Sequence, residues 1–465
     1  MSFGSERLKL CMESCLAPVA GKVSGWCVAL SGGLDSTVLL TALAQIRGLA
    51  PNSALRAVHV DHGLHPDSGD WSHACGRLAA ELGVGWTQLS VHARGEAGDS
   101  PEAAARAARY AAIAEELSPG EVLLTAHHAD DQMETMLLQW LRGGGLRAIA
   151  GMARLQPFGP GWQARPLLDF TRADLLEFAR SKELAWQEDP SNLDLRFDRN
   201  YLRMNILPAM RERWPGAART MARVGDFARE ALDLEEQVAA ADLADSTEGS
   251  TLVLERITGL TEVRQRAVIR AWLRALGLNV PPSATLAALR HDIRRSGADR
   301  VPCTRWSGVA VHRYRGRLYA EPWPANARAV RPGRWQPGGP YQLDSRSELE
   351  LRAVVGRGLS RARMPDLLQV RAWAGGDRLR LPGGRHRKQL RKLAQERGVL
   401  PWHRCSVPVV SAGDQIVAVG DIAISADWAA EPGEAGWELH WRNRPLLTER
   451  EFLARPLISM TGGDA

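Results

Sequence analysis

The chain is short of the residues that would mark it as secreted, membrane-bound or filamentous. Its six cysteines, Cys11, Cys15, Cys27, Cys75, Cys303 and Cys405, are scattered over 465 residues, too few and too far apart for a disulfide framework. No run approaches the ~20 consecutive apolar residues a membrane span needs, so no membrane partner is expected. The first twenty residues carry Glu6 and Glu13 and only a short apolar patch, which argues against a secretory signal. No fixed-period repeat is visible. With 45% hydrophobic and 24% charged residues, the composition is not that of a collagenous, disordered or coiled-coil chain. The expectation is a cytoplasmic protein of about three domains, at ~150 residues each. Lysine is scarce too: it supplies five of the 59 basic residues, and arginine the rest. Arginine suits bidentate phosphate contacts, but a bias this uniform says little about any one site.

Charge is unevenly divided. Residues 1–215 hold 21 Lys and Arg against 25 Asp and Glu, whereas residues 216–465 hold 38 against 28. A mildly acidic front and a clearly basic back suggest divided labour, with a polyanion such as RNA as partner of the back half.

The first 150 residues alternate short apolar runs with helical patterns. The runs at Trp26–Leu30, Leu55–Val60, Trp86–Val91 and Val122–Ala126 read as buried parallel strands. Helices are predicted at Thr37–Ile46, Trp71–Leu82, Glu102–Leu117 and Gln132–Leu141. This order predicts an α/β fold, a doubly wound and mostly parallel sheet, with ligands beyond the carboxyl ends of its strands. A helix over Thr171–Lys182, a polar segment from Glu188 to Arg203 and a long helix from Ala217 to Ala241 follow. Beyond them we expect a mainly helical middle domain, with helices near 262–276 and 284–294 and strands at 308–320. After a Pro- and Gly-rich linker, Pro322 to Pro340, a small α+β C-terminal domain is expected, with strands at Val407–Val410, Ile416–Val419 and Trp437–Trp441. The domain ranges read from these shifts are 1–215, 216–335 and 345–445, then a patternless tail at 446–465.

Ser31-Gly32-Gly33-Leu34-Asp35-Ser36 follows the first strand and opens a helix. Small residues let successive N–H groups face an anion, and the helix start adds its positive end. No Gly-x-x-x-x-Gly-Lys-Ser/Thr sequence occurs, so this is not a Walker A loop. Asp35 would repel a phosphate unless a cation lay between them, which points to Mg2+ at Asp35. After the second strand stands His59-Val60-Asp61-His62-Gly63-Leu64. A metal pair is conceivable but its spacing is not diagnostic, and His59 and His62 are read as an edge of the nucleotide site. After the fourth strand comes Ala126-His127-His128-Ala129-Asp130-Asp131-Gln132-Met133-Glu134-Thr135, with Asp131 and Glu134 on one helical face. These carboxylates could hold Mg2+, receive an ammonium, or take a proton from an amine. Arg106, Arg109 and Tyr110 project together from the preceding helix. Phe197, Tyr201 and Ile206 are interleaved with Arg199 and Arg203 in a stretch read as a loop over a site, then a short helix.

The loop resembles that of the N-type ATP pyrophosphatases (PP-loop superfamily), and the segments together resemble the tRNA(Ile)-lysidine synthase family. The match spans roughly residues 25–208 and includes Ala105-Arg106-x-x-Arg109-Tyr110, Arg165-Pro166-Leu167-Leu168 and Glu188-Asp189-Pro190-Ser191-Asn192. His65 departs from the arginine common in the family. The resemblance implies a ligase that adenylates the wobble cytidine of a tRNA(Ile) with a CAU anticodon at its C2 oxygen, using ATP. The ε-amine of free L-lysine then displaces AMP, giving lysidine. It implies ATP contacts from Ser31, Gly32, Gly33, Leu34, Asp35, Ser36, His59 and His62. Chemistry is expected from Asp35, His127, Asp131, Glu134, Arg106 and Arg199, the arginines contacting phosphate or the lysine carboxylate. A homodimer stays open as the assembly.

Between Arg371 and Arg397 nine basic residues face only Asp377 and Glu396. This stretch resembles the C-terminal domain of the longer members of that family. Arg378, Arg385, Arg387, Lys388, Arg391 and Lys392 are the expected tRNA contacts, with Lys388, Arg391 and Lys392 on one helical face and Leu390 and Leu393 turned inward. Two related activities fit less well. A tRNA thiolase needs a reactive cysteine pair, and Cys11 and Cys15 lack Cys-x-x-Cys spacing. A glutamine-dependent synthetase needs an amidotransferase nucleophile, and Ser2 follows the initiator. A non-catalytic tRNA-binding protein would have no need of Asp35, Asp131 and Glu134.

Overall fold

A computed structural model describes residues 3–49, 54–61, 68–91, 101–188, 194–295, 301–323, 330–345 and 347–457. His62, His65 and Asp189–Asn192 lie outside the described residues. The chain divides into two compact units, Met1–Asp233 and Leu234–Ala465.

In the first unit, helix α1 (Ser5–Leu16) precedes β1 (Gly25–Ala29), α2 (Leu34–Gln45), β2 (Leu55–Asp61), α3 (Ser68–Glu81), β3 (Gly85–Ser90), α4 (Pro101–Glu116) and β4 (Glu121–Leu124). Then come α5 (Ala129–Leu141), α6 (Leu146–Ala150), the hairpin β5 (Leu155–Phe158) and β6 (Gly161–Ala164), and α7 (Arg172–Ser181). The sheet order is β3-β2-β1-β4-β6-β5, parallel except for β5. The four expected strands are present, and the hairpin at the sheet edge is an addition. Its β5 contains Pro157, which an edge strand tolerates because one side of its ladder is open. The chain runs outward from β1 through β2 and β3, then returns to the other side of β1 with β4. The switch point therefore lies between the carboxyl ends of β1 and β4, where such sheets bind ligands.

Hydrophobic burial fixes this arrangement. Val28, Val38, Leu39, Leu40, Leu43, Val122 and Leu124 are fully buried in one core with Phe170 and Leu175. At the opposite end of the sheet, Arg56 donates from Nε and Nη2 to the two oxygens of Glu121, at 2.6 and 2.7 Å. Beside that clamp, a Cβ on Gly161 would sit 2.0 Å from the Glu121 carbonyl oxygen, so only glycine lets β6 close on β4.

The polar segment ends in α8 (Asp198–Tyr201), a π-helical turn over Leu202–Ile206 and α9 (Leu207–Arg213). Pro208 has no N–H to give the carbonyl four residues back, which accounts for the widened turn before it. Helix α10 (Ala217–Ser246) then leads out of this unit, five residues longer than expected.

The second unit begins with helices at Leu254–Thr258, Glu262–Ala275 and Ser283–Arg295. Its first sheet has five strands, ordered Thr247–Glu248, Thr251–Val253, Arg317–Pro322, Val309–Tyr314 and Cys303–Trp306. Fully buried Trp272 anchors that core and donates its indole N–H to the Ser250 carbonyl at 3.0 Å. A second core gathers Trp335, Leu349, Val370, Val409, Val417 and Trp441 from a five-stranded and a four-stranded antiparallel sheet. The basic stretch departs from expectation. Arg378–Arg380 and Arg387–Gln389 pair as a hairpin, and a helix begins only at Leu390. Lys388 is therefore on a strand, bonded to Glu396 at 2.7 Å, and does not share a helical face with Arg391 and Lys392. Leu390 and Leu393 are buried as expected, and Arg378, Arg385, Arg387, Arg391 and Lys392 are exposed. The tail, expected to lack pattern, contains a helix at Glu449–Ala454 with a Thr448–Glu451 capping box. Among the described residues, no helix is long and apolar enough to cross a membrane.

Candidate active site

Gly32 takes φ +83°, and a Cβ there would meet the Cys75 sulfur at 3.0 Å. Glycine therefore lets the chain turn sharply out of β1. Gly33 caps α2, which starts three residues before the expected Thr37. Within the loop Ser36 Oγ accepts from Ser31 N–H at 3.2 Å, lies 3.0 Å from Ser31 Oγ and donates to the Gly33 carbonyl at 3.1 Å. The Gly32 carbonyl accepts from Gln187 N–H at 2.9 Å. The loop is thus held at the start of a helix, shaped as an anion cradle. His59, expected at the nucleotide edge, is 7% exposed and stacks on Trp86. Its Nδ1 lies 2.8 Å from the Leu30 carbonyl, so it braces the entry to the loop from behind.

Across the switch point His128 caps α5, so this helix too starts three residues earlier than expected. Asp131 and His128 form a reciprocal box: His128 N–H donates to Asp131 Oδ2 at 3.1 Å, and Asp131 N lies 3.3 Å from His128 Nδ1. His128 Nε2 stands 3.3 Å from Asp131 Oδ2 and 3.6 Å from Asp35 Oδ2, joining the two strand ends. Burial disfavours its charge, but Asp131, Asp35 and Asp130 outweigh this and push its pKa up to about 9. His127, against Thr125 Oγ1 at 3.0 Å, goes the other way. Burial and nearby arginines push it down to about 3, and it is neutral.

Burial also disfavours the Asp131 carboxylate, yet the two histidines and Arg199 hold its pKa down to about 2. Glu134, 1% exposed, accepts from Arg199 Nε at 2.8 Å and from Arg203 Nε and Nη2 at 2.7 and 2.9 Å. Arg203 Nη2 also reaches Asp131 Oδ1 at 3.2 Å. Two carboxylates three apart on α5 thus meet two guanidiniums four apart, Arg199 on α8 and Arg203 in the π-helical turn that continues it, a charge-assisted network whose partners compensate burial. Asp130 does something else: it accepts from Arg211 Nη2 and Arg172 N–H, both at 2.7 Å, and ties α9 and α7 to α5.

The structure therefore brings Asp35, His127, Asp131, Glu134 and Arg199 together. Arg106 is exposed, its guanidinium carbon 5.1 Å from the Tyr110 ring centroid, and is one of the arginines near enough to His127 to disfavour its charge. Two members of the cluster, His128 and Arg203, stand in the sequence motifs but carry no role expected from them. The signal was present: an i, i+4 arginine pair matches an i, i+3 carboxylate pair. Among the described residues, no group of three or more His, Cys, Asp or Glu is arranged to hold a metal ion. Asp35 Oδ1, however, is buried without a hydrogen-bond partner. That suits a cation held by one carboxylate and substrate phosphates, the usual manner of Mg2+.

Comparison with known proteins agrees along most of the chain. Residues 6–210 match the PP-loop domain, residues 252–319 the TilS substrate binding domain, and residues 368–441 the TilS substrate C-terminal domain. The tRNA(Ile)-lysidine synthase of Methylococcus capsulatus is 39% identical over 423 residues, covering 89% of this chain and 95% of its own. That of Alkalilimnicola ehrlichii is 40% identical, covering 89% and 93%. That of Coxiella burnetii is 35% identical, covering 90% and 93%.

Proposed function

The chain belongs to the tRNA(Ile)-lysidine synthase family, and from that premise we infer a cytoplasmic, ATP-dependent ligase that builds lysidine on the wobble cytidine of a tRNA(Ile) with a CAU anticodon. The observation that carries the reading is the bridge from Asp35 through His128 to Asp131 and Glu134, which sets a phosphate cradle beside an arginine–carboxylate cluster.

In the first step the cytosine C2 oxygen attacks the α-phosphate of ATP, and pyrophosphate leaves. The N–H groups of Gly32, Gly33 and the first turn of α2 bind the phosphates, and the helix start favours their charge. Ser31 and Ser36 hold the loop's shape. When bound at Asp35, Mg2+ would neutralise phosphate charge. His59 positions the loop. In the second step the bound lysine ε-ammonium gives a proton to water, the free amine attacks C2, the C2–O bond breaks and AMP leaves with that oxygen. An acid as strong as Asp131 is a poor general base, so its charge serves to attract and orient an ammonium. Glu134 is saturated by arginine N–H groups. It therefore orients Arg199 and Arg203, whose remaining N–H groups face the charge developing on phosphate. His127, neutral, is an acceptor at the rim.

In the second unit, Arg378, Arg385, Arg387, Arg391 and Lys392 form the phosphate-backbone contacts, with Lys388 engaged by Glu396. The Cys11 and Cys15 thiols are pushed up by burial, the opposite of what a sulfur-transfer enzyme requires. Incubation with ATP, labelled L-lysine and total tRNA tests the assignment. Label on a cytidine of one tRNA(Ile) is expected, and RNA without label defeats it.

A further inference from the structure

The helix that delivers Arg199 to the carboxylates has a second face. At ~100° per residue, Phe197 and Tyr201 fall opposite Arg199. They are 40% and 50% exposed, and Met204 beside them is 46% exposed. Exposed aromatics four residues apart, with Met204 beside them, present apolar surface on one side of this helix. The surroundings are basic: residues 194–214 hold five arginines against Asp194, Asp198 and Glu212. Arg196 pairs with Asp194 among the described residues, and its side chain is 87% exposed. Such an ion pair contributes little and exchanges readily for a phosphate.

We propose that Phe197 and Tyr201 form the platform on which unpaired bases flanking the target cytidine stack, with Arg196 on the adjoining phosphate. The occupant is a single-stranded RNA loop, and the proposal rests on the tRNA reading above. A base that undergoes chemistry must leave its stack, and its neighbours then need other π surfaces. Aromatic side chains interleaved with arginine supply these, while the inner face of the same helix handles the reacting groups. One helix thereby couples the seating of the loop to the placement of Arg199.

The test uses the full chain with Phe197→Ala, Tyr201→Ala, their combination, and Tyr201→Trp. The KM for tRNA should rise about tenfold for each ring lost. The kcat at saturating tRNA, the ATP affinity and the thermal midpoint should stay at wild-type values, because both positions are exposed. Tyr201→Trp should restore the wild-type KM. An unchanged KM in the double variant overturns the proposal. So does conversion of a dimer to a monomer with RNA affinity intact, which would make this face an interface between copies. If the wild-type chain neither binds nor modifies tRNA, the tRNA reading falls first and this proposal with it.

Discussion

Arg203 grips Glu134 through two parallel hydrogen bonds, Nε to Oε1 at 2.7 Å and Nη2 to Oε2 at 2.9 Å, and with the same Nη2 touches Asp131. This fork needs a guanidinium, because an ammonium offers no planar pair of donors. Arg203→Lys should therefore lower lysidine formation by ~100-fold while leaving ATP affinity within a few-fold. Arg203→Ala leaves part of a buried carboxylate unpaired and should cost ~1–3 kcal/mol in stability as well. Single-turnover kinetics and urea unfolding separate the two effects.

Asp35 gives a prediction about the cation. If its unpartnered oxygen holds Mg2+, Asp35→Asn and removal of Mg2+ by a chelator act on the same term. Each alone should depress tRNA-dependent ATP–pyrophosphate exchange by ~100-fold or more, and together they should be no worse than either. Additive losses would place the cation elsewhere.

Gly161 has no room for a methyl group, and the obstructing atom is a backbone carbonyl that cannot rotate away. Gly161→Ala should destabilise the first unit by ~2 kcal/mol or more through forced separation of β6 from β4. A lowered thermal midpoint is the expected readout, with the defect present even without substrates.

The basic hairpin and helix of the second unit should act by charge alone. Replacing Arg378, Arg387, Arg391 or Lys392 singly by alanine should weaken tRNA binding. Each loss should reduce the slope of log affinity against log salt by ~1. ATP affinity measured without tRNA should not change.

The parts of this structure that could be read from sequence are those that depend on local pattern. The strand–loop–helix at Trp26–Gln45 declares itself because a buried run, a glycine turn and a capped helix follow one another within twenty residues. The His127–Glu134 run declares its position at a strand end in the same way. What sequence could not show is pairing at long range. Glu134 and Arg203 are 69 residues apart, and the matching spacing of the two pairs hints at a complement without saying that they meet. The β5–β6 hairpin hid in two four-residue runs broken by Pro157. The strands around Leu379 and Lys388 hid in a sequence so rich in arginine that its period reads equally as a helix. Both helices start three residues before their apolar pattern predicts, because Gly33 and His128 cap through backbone geometry and a histidine ring, not through the usual Ser, Thr or Asp.

The widened turn over Leu202–Ile206 has a consequence for how this helix tolerates change. Upstream of it Arg199 must point at Glu134; downstream Arg211 must point at Asp130. Forcing the same residues into ordinary helical winding would swing everything after the turn by ~100°, pulling Arg211 off its anchor while Arg199 stayed aimed. The extra residue thus works as a phase adjuster, letting one rod satisfy two targets that a uniformly wound one would miss.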